Sequence, residues 1–357
     1  MARLTYDDYA AREMRLMGRL GYAMRLVGWR VDTALVATHV RSGEARLAEG
    51  RDVLKAHGFP EVNANGTESK KPHATKQGNE SLKAALSATG VKPESWMFTD
   101  TGKVVTSKDV WTPDRVAVLP EQARLVIETI LDMNGVRTVY GTVKGNQVGD
   151  RVYPEVMPFQ ATGRFSIQSP GLTVMGKRGG KHVERSIFLP EPGDRQVSFD
   201  LNQVDARAVA MHCQDANYVA LFTDPSIDSH AEIAYMVWGD RALREDAKKI
   251  GHGWNYGEGL YRIAREAGVD MSVAEEFDRQ MRVRFPRLVE WQQEVRDQAQ
   301  SGVLMDNGMG RMMRPTPGRS HTQGPALMGQ GLARDLLMEG LLALPVEYVR
   351  DAAGRHS

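Results

Sequence analysis

The sequence predicts an α+β fold: a helical first third, then mixed strands and helices with a long helical insertion. Three observations predict it. Residues 1 to about 58 carry apolar side chains at helical spacing. The stretch Gln196-Val197-Ser198-Phe199-Asp200-Leu201 alternates as a half-buried strand does. Residues 226–300 return to helical periodicity, broken by glycines at 251, 253, 257 and 259.

Along the chain, Leu16, Leu20, Met24 and Leu26 form the apolar face of a first helix. Gly28-Trp29-Arg30-Val31-Asp32 interrupts it, and Asp32 is placed to cap a second helix from Thr33 toward His57. Residues 59–81, rich in Asn, Gly, Ser, Thr and Lys, read as a loop. Helices are expected at 81–89 and 120–133, and strands at Thr138-Val139-Tyr140 and Arg151-Val152-Tyr153. After the strand ending at Asp200, a helix is expected from Val204 to Cys213, with Asn202 as its cap and Asp205 in its first turn. The last helix is expected over 327–343.

Composition excludes little. The chain has 357 residues, enough for roughly two or three ordinary domains. Its net charge is +1, so any nucleic-acid site must be a local basic surface. The single cysteine, Cys213, excludes an internal disulfide and fits a reducing compartment, here read as the cytoplasm. No apolar run approaches the roughly 18 residues that span a bilayer, so no membrane partner is expected.

Two segments carry chemistry. Asp200, at the end of a strand, is a carboxylate on rigid backbone, suited to Mg²⁺, which prefers hard oxygens; alone, it reads more readily as a strand end. Arg244 and Lys248 stand at i and i+4, with Gly251 and His252 at i+7 and i+8, on one helix face. Such a pair can hold a triphosphate, Arg by its planar fork and Lys as a point charge. It can also be a solvated face pairing with Glu245 and Asp246.

Taken together, these segments resemble family A DNA polymerases. Asp200-Leu201-Asn202-Gln203-Val204-Asp205-Ala206-Arg207 is similar to the family's motif A, DYSQIELR, and Arg244 through Gly257 to its motif B, RxxxKxxNFGxxYG. Thr162-Gly163-Arg164-Phe165-Ser166 resembles TGRLSS, and Arg185-Ser186-Ile187-Phe188 matches RxxF. Asp228-Ser229-His230 resembles DIH, Gly310-Arg311 resembles GRRR, and Gln330-Gly331-Leu332-Ala333-Arg334-Asp335 resembles QGTAAD. Phe285-Pro286 and Trp291 match an FP…W pattern read as packing. Gly28 to Asp32 and Thr106-Ser107-Lys108-Asp109 are weakly similar to thumb segments. The basic, glycine-rich run Gly176 to His182 suits close approach to phosphates or a solvated loop. The order of the segments covers about residues 100 to 343.

The resemblance implies a right-hand polymerase fold with helical thumb and fingers and an antiparallel palm sheet. Its divisions would be a thumb-like region at 1–145, palm at 146–215, fingers at 216–320 and a second, incomplete palm part at 321–357. It implies template-directed DNA synthesis from dNTPs on primer-template DNA, with two Mg²⁺ ions, in a phage-type setting in the host cytoplasm. Asp200 would bind metal. Arg244, Lys248 and His230 would bind the triphosphate, Asp205 would lie at the sugar, Gln203 would bind the nucleotide, and Tyr256 would lie at the template side. Arg164, Arg207, Arg311 and Gln330 would contact DNA. His252 stands where an aromatic ring packs on the nucleotide, Gly251 where Asn is usual, and Asp205 is one methylene shorter than the usual Glu. The family's His-Asp-Glu motif, carrying the second metal carboxylate, is expected after the Gln-Gly segment. Only 26 residues follow Gly331, and Asp351 stands in a small polar tail. The reading therefore expects a complementary fragment to supply that carboxylate, and no exonuclease domain upstream. The alternatives are an inactive primer-template-binding fragment and, against the evidence of Asp205, a single-subunit RNA polymerase relative.

Overall fold

The computed structural model describes residues 5–344 except 64, 70, 92–97, 100, 109, 137–141 and 176–184. The expected strand at Thr138-Val139-Tyr140, the basic run Gly176 to His182, and Asp351 lie outside the described residues. The chain divides into two compact units, Met1–Val27 with Glu155–Gln168 and Val197–Ser357, and Gly28–Pro154 with Ser169–Gln196.

In the second unit, β1 (Trp29–Val31) leads into α2 (Thr33–Ala56), where Asp32 caps the helix by accepting a hydrogen bond from the Leu35 N–H at 2.8 Å. α3 (Lys76–Ala88), α4 (Pro113–Ala117) and α5 (Glu121–Gly135) follow. Leu54, Phe59, Leu82, Trp111, Ile127 and Met133 form one buried core among them. The loop expected over 59–81 is shorter than that. Thr75 caps α3 by accepting from the Gly78 N–H, so helix begins at Lys76, after a buried 3₁₀ turn at Pro72–Ala74. The strands β2 (Gln147–Val148), β3 (Arg151–Val152) and β6 (Phe188–Leu189) join β1 in an antiparallel sheet of order β2-β3-β1-β6.

The first unit opens with α1 (Tyr6–Gly21), capped by Thr5, and continues through a π turn at Tyr22–Val27. Leu16 is buried and Leu20 packs beside it, but Leu26 is 70% exposed, so the π turn ends the apolar face earlier than the periodicity implied. The hairpin β4 (Glu155–Met157) and β5 (Ser166–Gln168) pairs Val156 with Ile167. Helices α6 (Val204–Cys213), α7 (Ala216–Ala220), α8 (Ser229–Trp238), α9 (Arg244–Asn255), α10 (Leu260–Ala267), α11 (Met271–Arg284) and α12 (Pro286–Gln300) follow. A two-stranded ladder, β7 (Met305–Asp306) and β8 (Met312–Met313), precedes α13 (Ser320–Ala343). Tyr218, Trp254, Phe277, Phe285, Leu288 and Trp291 make the unit's main core, so Phe285 and Trp291 are packing residues, as their pattern implied.

Three local expectations are corrected. Gln196 to Leu201 is not a strand: among the described residues nothing pairs with it, and a ladder needs a partner. Its alternating side chains Val197, Phe199 and Leu201 are all exposed. Asn202 does not cap α6; Gln203 holds that position in a left-handed conformation, φ 53°, without a side-chain cap bond. The last helix starts at Ser320, seven positions before 327, and carries Pro325 within it. No helix among the described residues is long and apolar enough to cross a membrane.

Candidate functional site

The hairpin β4–β5 and the N-terminal turn of α6 build the carboxylate side of the site. Asp200, Asp205 and Arg164 line one open cavity of about 430 Å³, with Phe199, Val204 and Arg334. Arg164 Nη2 donates to Asp205 Oδ2 at 2.5 Å. The expected DNA contact and the expected sugar contact thus neutralise each other in this structure.

The left-handed turn at Gln203 does more than start α6. Its side-chain oxygen accepts a hydrogen bond from the Ser229 hydroxyl at 2.6 Å. Ser229 is the first residue of α8, between Asp228 and His230. This bond ties the carboxylate turn to the cationic side of the site. There Asp228 caps α8, accepting from the His230 and Ala231 N–H groups at 3.1 Å, and also accepts from Arg244 Nε at 2.6 Å. Arg244 holds Glu245 as well. These bonds, led by the one to Asp228, raise the affinity of Arg244 for its proton. His230 is pushed the other way, first by burial and then by the neighbouring Arg244 charge, with Lys248 adding to it. His230, Arg244 and Lys248 therefore form one cluster, and the imidazole is held toward its neutral, hydrogen-bonding form.

Tyr256 closes α9. Burial and then the charge of Asp205 push its phenol well above the usual range, so it remains an O–H. Gln330 lies beside that hydroxyl, but no hydrogen bond of ordinary geometry satisfies it. A Cβ at Gly329 would sit 3.0 Å from the Tyr256 ring, which is why α13 presents glycine there. His252 is exposed, its ring 5.4 Å from Tyr256 and edge-on.

Other expected residues are turned to structural work. Arg207 donates to the Asn202 carbonyl at 3.1 Å and the Phe222 carbonyl at 2.9 Å, bracing the turn before α6. Arg311 donates to Asp335 at 3.3 Å and lies over Gly163, where φ is +77° and a Cβ would collide with the guanidinium. The Thr-Gly-Arg and Gly-Arg segments, far apart in sequence, thus meet.

The sequence reading missed a buried ionic knot. Asp335, fully buried, accepts from Asn307 at 2.7 Å, Arg334 at 3.0 Å, Arg311 at 3.3 Å and Tyr9 at 3.4 Å. Arg334 also pairs with Glu13 and lies 4.5 Å over the Phe165 ring. Only the Asp that ends the Gln-Gly segment signalled it; Tyr9 and Glu13 lie on α1 with no motif to mark them.

No group of three or more His, Cys, Asp or Glu able to hold a metal occurs among the described residues. Asp200 lines the cavity beside Asp205. Mg²⁺ typically takes one or two carboxylates and fills its shell with water and substrate phosphate, so Asp200 fits as a partial ligand.

Comparisons with known proteins bear on the family and the fold. A region of the chain is 25% identical to the DNA polymerase of Mycobacterium phage D29 over 257 residues, covering 69% of this chain and 42% of that protein. It is 27% identical to the thermostable DNA polymerase I of Thermus aquaticus over 159 residues, covering 42% of this chain and 19% of that one. The chain spans less than half the length of these curated relatives. Its fold matches the POL domain of Pol1 from M. smegmatis, solved in complex with DNA primer-template and dNTP, at a TM-score of 0.67 and 18% identity. That match covers 92% of this chain and 57% of the other. The family model for DNA polymerase family A matches residues 103–323, more than half of the sequence, and the chain belongs to that family.

Proposed function

We propose that this chain carries the nucleotide-binding side of a template-directed DNA polymerase of phage type, acting on primer-template DNA and dNTPs. The Ser229–Gln203 hydrogen bond carries the proposal. It fixes the Asp200–Asp205 turn against the His230, Arg244 and Lys248 cluster, so a triphosphate on the cations would bring its sugar toward Asp205. In this reading Arg244 and Lys248 neutralise charge on the departing pyrophosphate, and neutral His230 donates a hydrogen bond to it. Asp205 and Gln203 limit the space at the sugar, His252 stacks on the nucleotide and Tyr256 backs the templating base. Arg164, Arg207, Arg311 and Gln330 belong to the duplex side. Arg164 can do so only after leaving Asp205, so DNA and nucleotide would engage these residues by exchange of partners.

Asp200 would hold Mg²⁺. When bound, the metal ions stabilise the attacking and leaving oxygens of an in-line displacement. The thumb-like (1–145), palm (146–215 and 321–357) and fingers (216–320) divisions are part of this proposal, and limited proteolysis would test their boundaries.

Primer extension with Mg²⁺ and dNTPs tests the function, with the chain alone and with a C-terminal complement added. We expect extension, lost in D200N while primer-template binding persists. Binding without extension in either arm would favour an inactive DNA-binding protein. Preference for rNTPs would favour an RNA polymerase relative.

A further inference from the structure

A second cavity, of about 150 Å³, opens where α9 ends and α10 begins, lined by Gly257, Glu258, Gly259, Asp278, Arg282 and Arg296 among others. It is well below the roughly 300–1,000 Å³ of an ordinary small-molecule pocket, which suits one small charged group. Its carboxylates are already engaged. Asp278 accepts from Trp254 Nε1 and from Arg282 Nε, both at 2.8 Å. Glu258 lies 3.7 Å from Arg262.

Arg296, from α12, is different. It enters no ion pair among the described residues, and its buried Nε has no hydrogen-bond partner. Burial, and next the charge of Arg282, pull its proton affinity down, opposed by Asp297. A half-buried cation beside a second cation is stabilised by an anion. The backbone is shaped to admit that arginine: Gly257 has φ +71°, and a Cβ there would collide with the guanidinium. Gly259, the residue before α10, offers no side-chain cap, which leaves the helix's first N–H groups without intrahelical partners at the same cavity.

We propose that this cavity receives a backbone phosphate of the single-stranded template ahead of the nucleotide site, with Arg296 as its main contact and Arg282 supporting. The choice of template strand rests on the functional reading above, which puts Tyr256 on the template side; Gly257 is the next residue. Phosphate contacts position a strand without reading its bases, so the site would be indifferent to template sequence.

The test is fluorescence anisotropy on primer-templates with a long 5′ template overhang and on blunt duplex of the same length, for the wild type, R296Q, R296K and R282Q. R296Q should weaken overhang binding about tenfold and leave blunt binding unchanged. The slope of log affinity against log salt should become shallower by about 0.7 for the overhang substrate. R296K should recover part of the loss. Equal effects on both substrates, or none, would overturn the proposal. So would protection of the wild type, but not R296Q, against thermal unfolding by inorganic phosphate when overhang length has no effect on binding, since the site would then serve a free anion. If the wild type binds neither DNA, it is the primer-template reading that fails, and this is distinguishable from a failure confined to the overhang.

Discussion

Two Asp–Arg pairs in the same unit illustrate how burial decides what an ion pair is for. Asp335 with Arg334 is sealed inside, their side chains 0% and 2% exposed, and tied to Tyr9, Glu13, Arg311 and Asn307. Asp205 with Arg164 lines an open cavity, at 27% and 41% exposure, with no comparable web around it. In the first pair every charge has lost its water, so each partner depends on the other. In the second, water can replace either partner at little cost. The knot is architecture, joining α1 to α13. The cavity pair is a solvent-facing contact, open to exchange of partners.

The largest expected effect comes from breaking the knot. Asp335→Ala leaves buried Arg334 with Glu13 as its one remaining carboxylate in the knot and takes the acceptor from Arg311 and Asn307, and should cost about 3–5 kcal/mol in a urea melt; a loss below about 1 kcal/mol would mean the knot is wet and the contrast false. Next, Lys248→Ala should slow primer extension on the order of a hundredfold while melting as the wild type does. An unchanged rate at saturating dNTP would remove Lys248 from the triphosphate cluster.

Removing a cap is milder. Asp32→Ala should destabilise the second unit by about 1 kcal/mol, read by hydrogen exchange across α2. Arg164→Ala should change stability by no more than about 1 kcal/mol yet weaken primer-template binding; a large stability loss with binding intact would make this pair a second knot.

Acid supplies the smallest effect. His73 and His212 are both held below the ordinary imidazole range, chiefly by burial. Their folded forms bind fewer protons than the unfolded chain, so stability is full above the unfolded value of about 6.5 and falls as pH drops below it. Melting temperature should decline from pH 7 to 5, less steeply in His73→Gln. A flat profile would show that these rings titrate normally.

Much was legible because it is local. Asp32, a short polar side chain before a helical run, had to cap α2. Val204 to Cys213 had to be helix, and its bounds agree residue for residue. Asp200, Arg244 and Lys248 could be singled out because their spacing along the chain is itself the motif. What failed was non-local. The alternation at Val197, Phe199 and Leu201 describes side-chain faces, whereas a strand exists only when another strand supplies hydrogen bonds. Asn202 had the chemistry of a cap, but Gln203 took the position because its backbone turns left-handed and its side chain is held by Ser229 across the fold.

The sequence by itself determined the helices, the family's segments and the identities of the charged residues, because propensity, capping and motif spacing act over a few residues. Only the tertiary structure decided which charges are spent. It buried Asp335 among Arg311, Arg334 and Tyr9, turned Arg207 onto backbone carbonyls, and left Arg164 on Asp205 at the mouth of a cavity. Burial sets the value of a charge, and burial is a property of the packed chain.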